Sequence, residues 1–339
     1  MADSPDSAPR APVTPADLAR WAFWGPLRDA LDPHRPARVK ALGAAWHLHH
    51  LTARGGRVLM EDELRRCFGE RYTAAEYKGL VADAYRRGWR VHLEELLLGK
   101  VDAETVETYI RFEGRANLDR ALEGGKGAIY TYPHAGAVML MLAWLAHRGY
   151  RYVQFAARGL PPPEIAALNP ALMASNPVRE RVRKVREENE DKVPCTFLTM
   201  DQPTRELYRR LADNELVGIA FDGRASQKFF VHDFLGRKAV LSSGPYRLAV
   251  SRGAPIVPAF CHTPRQGPAV CRVGEPLFPG KDWRELAHEV LRQEAAWIAE
   301  EPAEYGLWLV HCRRRAALDD HPLFGDVAPD ERWKRWERA

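Results

Sequence analysis

The pattern of apolar residues changes at Gly124, and this change limits the possible folds more than any other feature of the sequence. Over residues 16–122 the apolar residues recur near helical spacing, which predicts a helical N-terminal region. From residue 124 onward, short β-prone runs alternate with helical segments. We therefore predict an α/β domain over residues 123–325, with a mixed, mostly parallel central sheet flanked by helices.

The predicted strands are short and are bounded by turn residues. They cover residues 127–132, 150–156, 194–200, 216–221 and 255–262, with 305–311 as a last strand or helix edge. Helices are predicted over 135–147, 179–191, 203–212 and 282–299, a loop over 160–177, and a turn with a helix over 239–251. Residues 1–15 are expected to be a disordered lead-in and residues 326–339 a C-terminal tail.

Composition excludes several classes of protein. With 46% hydrophobic and 28% charged residues, the chain has an ordinary globular profile. The longest apolar run, residues 136–146, is about half of the roughly 20 residues that cross a bilayer. The five cysteines are scattered and form no C-x-x-C pair, which favours a reducing compartment over disulfides or structural zinc. We expect a cytoplasmic protein without metal or cofactor, and peripheral contact with the inner membrane stays open.

His134 follows a predicted strand and opens an apolar helix. In open α/β sheets, ligands bind beyond the carboxyl ends of the strands, so a histidine there can meet a substrate. Histidine side chains in general exchange protons near neutral pH, as a general base requires. From position alone, a histidine held by capping contacts at a helix start is the commoner interpretation.

Asp222-Gly223-Arg224 follows another predicted strand. An aspartate and an arginine at a strand end can together hold an oxyanion or a phosphate, with the carboxylate orienting the guanidinium. A surface turn is the alternative, because Asp-Gly is common in turns.

Two further segments have open interpretations. Asn176-Pro177 precedes an arginine-rich helix that includes Arg181 and Arg183, which is either a solvated face or a basic rim for phosphates of a carrier arm, a coenzyme or RNA. Pro255 and Pro258 bracket an apolar strand, which indicates either a cleft wall or a plain core strand.

The order of these segments resembles the lysophospholipid acyltransferase superfamily, in particular the lipid A lauroyl/myristoyl acyltransferases. The resemblance runs from Phe112 to Leu323. It rests on Gly127-Ala-Ile-Tyr-Thr-Tyr-Pro-His134-Ala-Gly136, Asn176-Pro177, Asp222, Val231 to Gly236, Gly253 to Pro258, and Leu307-Trp308-Leu-Val-His311-Cys-Arg313-Arg.

The resemblance implies an acyltransferase. In that family a histidine of a His-x4-acid motif deprotonates an acceptor hydroxyl, which attacks an acyl thioester on a carrier protein or coenzyme A. The histidine maps to His134, and a later acidic block maps to Asp222-Gly223-Arg224, where Arg224 would bind the donor or the oxyanion. The candidates for substrate binding are Gly136, Asn176, Arg181, Arg183, Gly236 and Pro258.

Position 139, where the motif has its acid, is Met139. In the serine protease triad, losing the orienting carboxylate costs about 10⁴ in rate, so something must compensate. We nominate Asp222 from a neighbouring strand end. There are two alternatives. A backbone carbonyl could orient the histidine, or the acceptor could be an amine, which needs less help from a base. The polar start, in place of the family's membrane anchor, favours a small polar acceptor.

Three functions remain open at this stage. The first is acyl transfer from a carrier protein or acyl-coenzyme A to a small acceptor. The second is aminoacyl transfer from aminoacyl-tRNA to a small amine or hydroxylamine, with the 179–186 arginines holding the RNA. The third is an inactive acyl-binding relative, in which Trp21, Trp24 and Trp46 contact a membrane or a partner.

Overall fold

The computed structural model describes residues 11–156, 176–199, 202–224, 226, 228–316 and 322–327. The predicted loop over 160–177 lies mostly outside the described residues. So do residues 1–10 of the lead-in and 328–339 of the tail. Within the described part, no helix is long and apolar enough to cross a membrane.

The N-terminal region is helical, as its periodicity predicts. Two of its helices begin with a capping box, in which Thr14 pairs with Asp17 and Thr73 with Glu76. A π-helical turn, Phe23–Leu27, continues the first helix. The helices are α1 Pro15–Ala22, α2 Arg28–Ala30, α3 Pro36–Gly43, α4 Trp46–Thr52, α5 Arg54–Phe68, α6 Ala74–Glu95, α7 Val106–Tyr109 and α8 Arg115–Leu122.

Strands and helices then alternate. The strands are β1 Ile110–Glu113, β2 Ala128–Tyr132, β3 Tyr152–Phe155, β4 Thr196–Leu198, β5 Leu216–Ala220, β6 Phe229–Phe234, β7 Arg237–Ser242, β8 Ile256–His262 and β9 Ala269–Val273. The helices are α9 Val138–His147, α10 Pro177–Glu190, α11 Arg205–Ala212, α12 Gly244–Arg252, α13 Trp283–Glu300 and α14 Pro302–Arg315.

Seven strands form one sheet in the order β1-β9-β8-β2-β5-β3-β4. β8, β2, β5, β3 and β4 run parallel, while β9 runs antiparallel to β8 and pairs in parallel with β1. β6 and β7 form a separate antiparallel hairpin. The predicted fold class, a mixed and mostly parallel sheet flanked by helices, is therefore confirmed.

Each face of the sheet carries its own apolar core. Alternate residues of β2 divide between the two cores, with Ile129 in one and Tyr130 in the other, because successive side chains of a strand point to opposite faces. The Ile129 core includes residues of α5, α6, α13 and α14, and α14 contacts both α5 and α6. The N-terminal helices thus join the last helix in one wall beside the sheet.

The register of the central strands decides where the site lies. β2 and β5 are parallel neighbours, with Tyr132 opposite Ala220. His134 and Asp222 each come two residues after that pair. Both therefore leave the same edge of the sheet at the same level.

Several sequence-based assignments were wrong or incomplete. Residues 302–315 are a helix rather than a last strand, with Pro302 in its first turn and Tyr305, Leu309 and Cys312 buried at helical spacing. Residues 239–242 are strand, because the β6–β7 hairpin closes through Leu235 and Gly236, both with positive φ, without the usual Asn-Gly signal.

The strands β1 and β9 were also missed. β1 lies inside the region predicted as helical and joins the main sheet through β9, so the sheet draws on residues before the predicted domain start at 123. The lead-in is likewise not free of contacts where it is described, because Thr14 caps α1.

Candidate active site

His134 and Asp222 form a hydrogen-bonded pair at the carboxyl edge of the sheet. His134 Nδ1 lies 2.7 Å from Asp222 Oδ1. The backbone N–H of His134 also donates to Asp222 Oδ2 at 3.0 Å. The loop after β2 is therefore bound to the loop after β5 by both its backbone and its side chain.

The carboxylate of Asp222 is fully buried, with 0% of its side chain exposed. Burying a charge costs free energy unless the charge is hydrogen-bonded, so a further donor to this carboxylate stabilises it. The hydroxyl of Tyr305 on α14 donates to Asp222 Oδ2 at 2.9 Å. Burial, and then the nearby Asp222 charge, raise the pKa of Tyr305 well above its ordinary value, so this hydroxyl keeps its proton.

The imidazole of His134 is accessible on one side and covered on another. Its side chain is 39% exposed. The ring of Trp308 stacks on it, with centroids 3.9 Å apart and planes 12° apart, and His311 stacks on Trp308 at 4.8 Å. The stacked indole limits the directions in which the imidazole can turn.

This arrangement suits proton transfer. Because a carboxylate only accepts hydrogen bonds, the contact with Asp222 assigns the proton of the neutral ring to Nδ1 and leaves Nε2 as the acceptor. A buried carboxylate also stabilises the imidazolium that forms when Nε2 takes a proton. The pair can thus act as a general base toward a molecule at the exposed side of the ring.

Asp222 occupies the place that the missing motif acid leaves open. Met139 lies near the start of α9 and packs, partly buried, against the apolar core around Tyr130. The carboxylate contact of His134 comes instead from the neighbouring strand end, as the sequence interpretation nominated.

Arg224, two residues after Asp222, is almost completely buried. The residue is only 5% exposed, its Nη1 donates to the carbonyl oxygen of Val240 at 2.9 Å, and its guanidinium lies over the Phe229 ring. These contacts join the β6–β7 hairpin to the chain just after β5. The role of Arg224 in binding the donor or an oxyanion stays a prediction.

Two of the predicted binding residues are glycines with positive φ, and a third lies in a central strand. Gly136 has φ +65, and a Cβ there would lie 2.7 Å from the carbonyl carbon of Cys261, so the loop after His134 needs a glycine. Gly236 has φ +74 in the hairpin turn. Pro258 lies within β8, which is an interior strand between β9 and β2, and the plain core-strand interpretation fits it.

The arginine-rich helix also has structural contacts. Asn176 is buried, caps α10 by accepting from the Arg179 N–H, and donates to Asp17 at 3.1 Å. Arg179 and Thr14 hold the pKa of Asp17 well below its usual range. Arg181 lies over the Trp21 ring and Arg183 is 3.9 Å from Glu187. The contacts of Asn176, Arg179 and Arg181 dock α10 on α1, whereas the Arg183–Glu187 pair lies within α10.

Sequence reasoning missed the two aromatic supports of the pair, Tyr305 and Trp308. Both lie on α14, three residues apart, so they share one face of the helix. The Leu307-Trp308 segment belonged to the resemblance, but its prediction as either a last strand or a helix edge left this shared face unrecognised. Among the described residues, no group of three or more His, Cys, Asp or Glu could hold a metal ion.

An imidazole–carboxylate pair at a strand edge of an α/β sheet has the geometry that a general base needs, and similarity to known proteins identifies the family. The chain belongs to the bacterial lipid A biosynthesis acyltransferases, whose family model matches residues 30–314. It is therefore an acyltransferase, and the resemblance stated from the motifs is confirmed.

Two curated relatives support this assignment. Both are phosphatidylinositol mannoside acyltransferases of Mycobacterium tuberculosis. The protein of strain ATCC 25618 / H37Rv is 26% identical over 259 residues, and that of strain CDC 1551 / Oshkosh is 26% identical over 258 residues. Each match covers 75% of this chain and 75% of the relative.

Proposed function

We propose that this enzyme transfers an acyl group from a thioester on a carrier protein or coenzyme A to a hydroxyl or amine of a small acceptor, with His134 as the base. The observation that carries the proposal is the 2.7 Å contact between the exposed imidazole and the buried Asp222 carboxylate. This contact orients the imidazole, which is the role that an acid at position 139 would have in the family motif.

The chemistry follows from this geometry. Nε2 of His134 accepts the proton of the acceptor O–H or N–H as the oxygen or nitrogen attacks the thioester carbonyl. Asp222 stabilises the resulting imidazolium and keeps Nδ1–H directed at itself. The tetrahedral intermediate then collapses, the C–S bond breaks, and the leaving thiolate takes the proton back from Nε2.

The relatives favour a hydroxyl as the acceptor. A mannoside presents hydroxyl groups, and both curated relatives are named for acylating one. A hydroxyl needs a stronger base than an amine, and the Asp222 contact provides one. We place the reaction in a biosynthetic pathway of the cytoplasm, with peripheral membrane contact when the acceptor is a lipid.

The two other hypotheses receive less support. Aminoacyl-tRNA would rely on the cations of α10, two of which already have partners within the protein, because Arg179 pairs with Asp17 and Arg181 lies over the Trp21 ring. An inactive acyl-binding relative would not need a buried carboxylate oriented by three donors, namely the ring and the backbone N–H of His134 and the hydroxyl of Tyr305.

One experiment tests the proposal. The protein is incubated with acyl-carrier protein, acyl-coenzyme A and aminoacyl-tRNA pools, and mass spectrometry identifies the donor that is discharged. We expect a thioester donor to be discharged only when an acceptor is present, and not by the His134→Ala variant. Discharge of aminoacyl-tRNA alone, abolished by ribonuclease, would select the second hypothesis. Donor binding without transfer would select the third.

A further inference from the structure

A cavity of about 240 Å³ lies between α5, α6 and α14, in the same wall that carries Tyr305 and Trp308. We call it the arginine cavity. It is lined by Ala53, Tyr85, Leu307, Val310, His311, Arg314 and Arg315. None of these residues takes part in the contacts of Asp222, so the general base does not explain the cavity.

Arg314, which lines the cavity, and Arg57, whose charge acts on the lining residue Tyr85, have no counterion among the described residues. Among the described residues, neither Arg57 nor Arg314 forms an ion pair or a side-chain hydrogen bond, and Arg57 Nε is buried without a partner. Both are close enough to Tyr85 that their charges oppose the rise of its pKa on burial. Two positive charges therefore flank one phenol without a carboxylate between them.

The backbone beside these charges is closely packed at one glycine and open at the glycine before it. Gly56 packs so closely that a Cβ would lie 2.5 Å from the Tyr85 hydroxyl and 3.1 Å from Arg314 Nη2, while nothing lies within 4 Å of such an atom at Gly55. Both glycines belong to the first turn of α5, whose N-cap, Ala53, offers no side-chain acceptor. The amide groups of this turn add the positive end of a 15-residue helix.

The sequence around the cavity is also one-sided in charge. No Asp or Glu occurs from Pro33 to Met60, a stretch that contains five Arg or Lys residues and four His residues. The next acidic residue, Glu61, pairs with Arg65. A group that neutralises Arg57 must therefore come from outside this segment.

The cavity is linked to the general base by stacked rings. His311, which lines the cavity, stacks on Trp308, and Trp308 stacks on His134. Arg314 follows Trp308 by six positions on α14, which is about 9 Å along a helix axis. An anion in the cavity would lie within reach of a molecule whose other end meets His134.

We propose that the arginine cavity binds a phosphate group of a substrate of this enzyme. Guanidinium groups, a helix N-terminus and a phenol are donors that suit phosphate oxygens. The phosphate belongs either to the donor, whose thioester arm ends in phosphate, or to the acceptor. This proposal rests on the proposed function for its link to catalysis, but phosphate binding itself can be measured without turnover.

Direct binding is the first test. Inorganic phosphate and free coenzyme A are titrated into wild-type protein and into the Arg57→Gln and Arg314→Gln variants by calorimetry. We expect about a 10-fold loss of affinity for each substitution, because each removes a hydrogen-bonded charge. Arg209→Gln and Arg292→Gln remove arginines paired with Glu206 and Glu289 elsewhere, and serve as matched controls without effect.

The outcome is decisive when folding is checked in parallel. Arg57→Lys and Arg314→Lys keep the charge and should retain part of the affinity, whereas a general loss of packing would affect the Lys and Gln variants alike. Unchanged phosphate affinity in a folded double Gln variant overturns the proposal. If wild-type protein binds phosphate through these arginines but transfers no acyl group, only the proposed function fails.

Kinetics then identify the source of the phosphate. KM is measured with acyl-coenzyme A and with the same acyl group on N-acetylcysteamine, a thioester without phosphate. If the donor supplies the phosphate, the double Gln variant raises KM for acyl-coenzyme A alone, by about 10-fold or more. If the acceptor supplies it, KM for a phosphorylated acceptor rises with both donors. Unchanged KM for every substrate contradicts the proposal.

Discussion

Two regions of the sequence were predicted to contribute to the functional site, and their side chains have different contacts in the structure. The strand ends at His134 and Asp222 meet in a hydrogen-bonded pair with one accessible ring. The Asn176 helix, α10, has more charge, but its side chains cap the helix and bind α1. Strand ends meet because parallel pairing brings them to one edge, whereas charges on a helix find counterions nearby.

The largest effect is expected at the strand ends. His134→Ala should lower kcat by about 10² to 10⁴, because it removes the general base. The fold should persist, because the ring is partly exposed and belongs to neither apolar core. Single-turnover release of the donor thiol measures this effect, with thermal unfolding as the folding control. The His34→Ala variant, at an exposed histidine elsewhere, should behave as wild type.

Asp222→Asn should approach the same loss. An amide can donate to Nδ1, which would place the imidazole proton on Nε2, and by analogy with the serine protease triad the rate should fall by up to about 10⁴. The double variant should lose little more than either single one, because the two residues act as a unit. Additive losses would show that they act independently.

A smaller effect is expected at Tyr305, which acts on His134 only through Asp222. Tyr305→Phe removes one donor to the buried carboxylate and should lower kcat by about 10-fold while leaving KM unchanged. Steady-state kinetics separate the two parameters. Tyr208→Phe, at an exposed tyrosine on α11, is the matched control. A change in KM alone would assign Tyr305 to substrate binding instead.

The arginines of α10 should contribute little. Arg181→Gln combined with Arg183→Gln should change KM for any donor by less than about fivefold, because exposed charge contacts are weak. The comparison with Arg57→Gln and Arg314→Gln is made under the same salt conditions. A larger loss at α10 than at the arginine cavity would reverse the contrast between the two regions.

Asn176→Ala should affect stability rather than activity. Loss of the helix cap should lower the free energy of unfolding by about 1–2 kcal/mol, and the lost bond to Asp17 adds to this. Chemical denaturation measures the change. If KM for the donor rises while stability is unchanged, Asn176 contacts the substrate, as the resemblance implied.

Much of the fold could be predicted because local pattern and topology agree. The glycine-bounded run before His134 became β2 nearly residue for residue, and alternation predicted the parallel sheet. β1 and β9 were missed because they are short, and their pairing joins segments far apart in sequence. The segment of α14 was left undecided between strand and helix edge, because its apolar run fits either period when its partners, α5 and α6, are unknown.

By itself, the sequence determined the chemistry of the site: an imidazole and a carboxylate, each just beyond an apolar strand. A strand followed by a turn sets that position through local interactions alone. Only the tertiary structure decided which side chains support the pair and which of the described arginines lack counterions. Tyr305, Trp308 and Arg314 come from a helix far along the chain, and Arg57 from one near its start. Their roles depend on how helices pack, and packing depends on the shapes of surfaces that a linear pattern does not record.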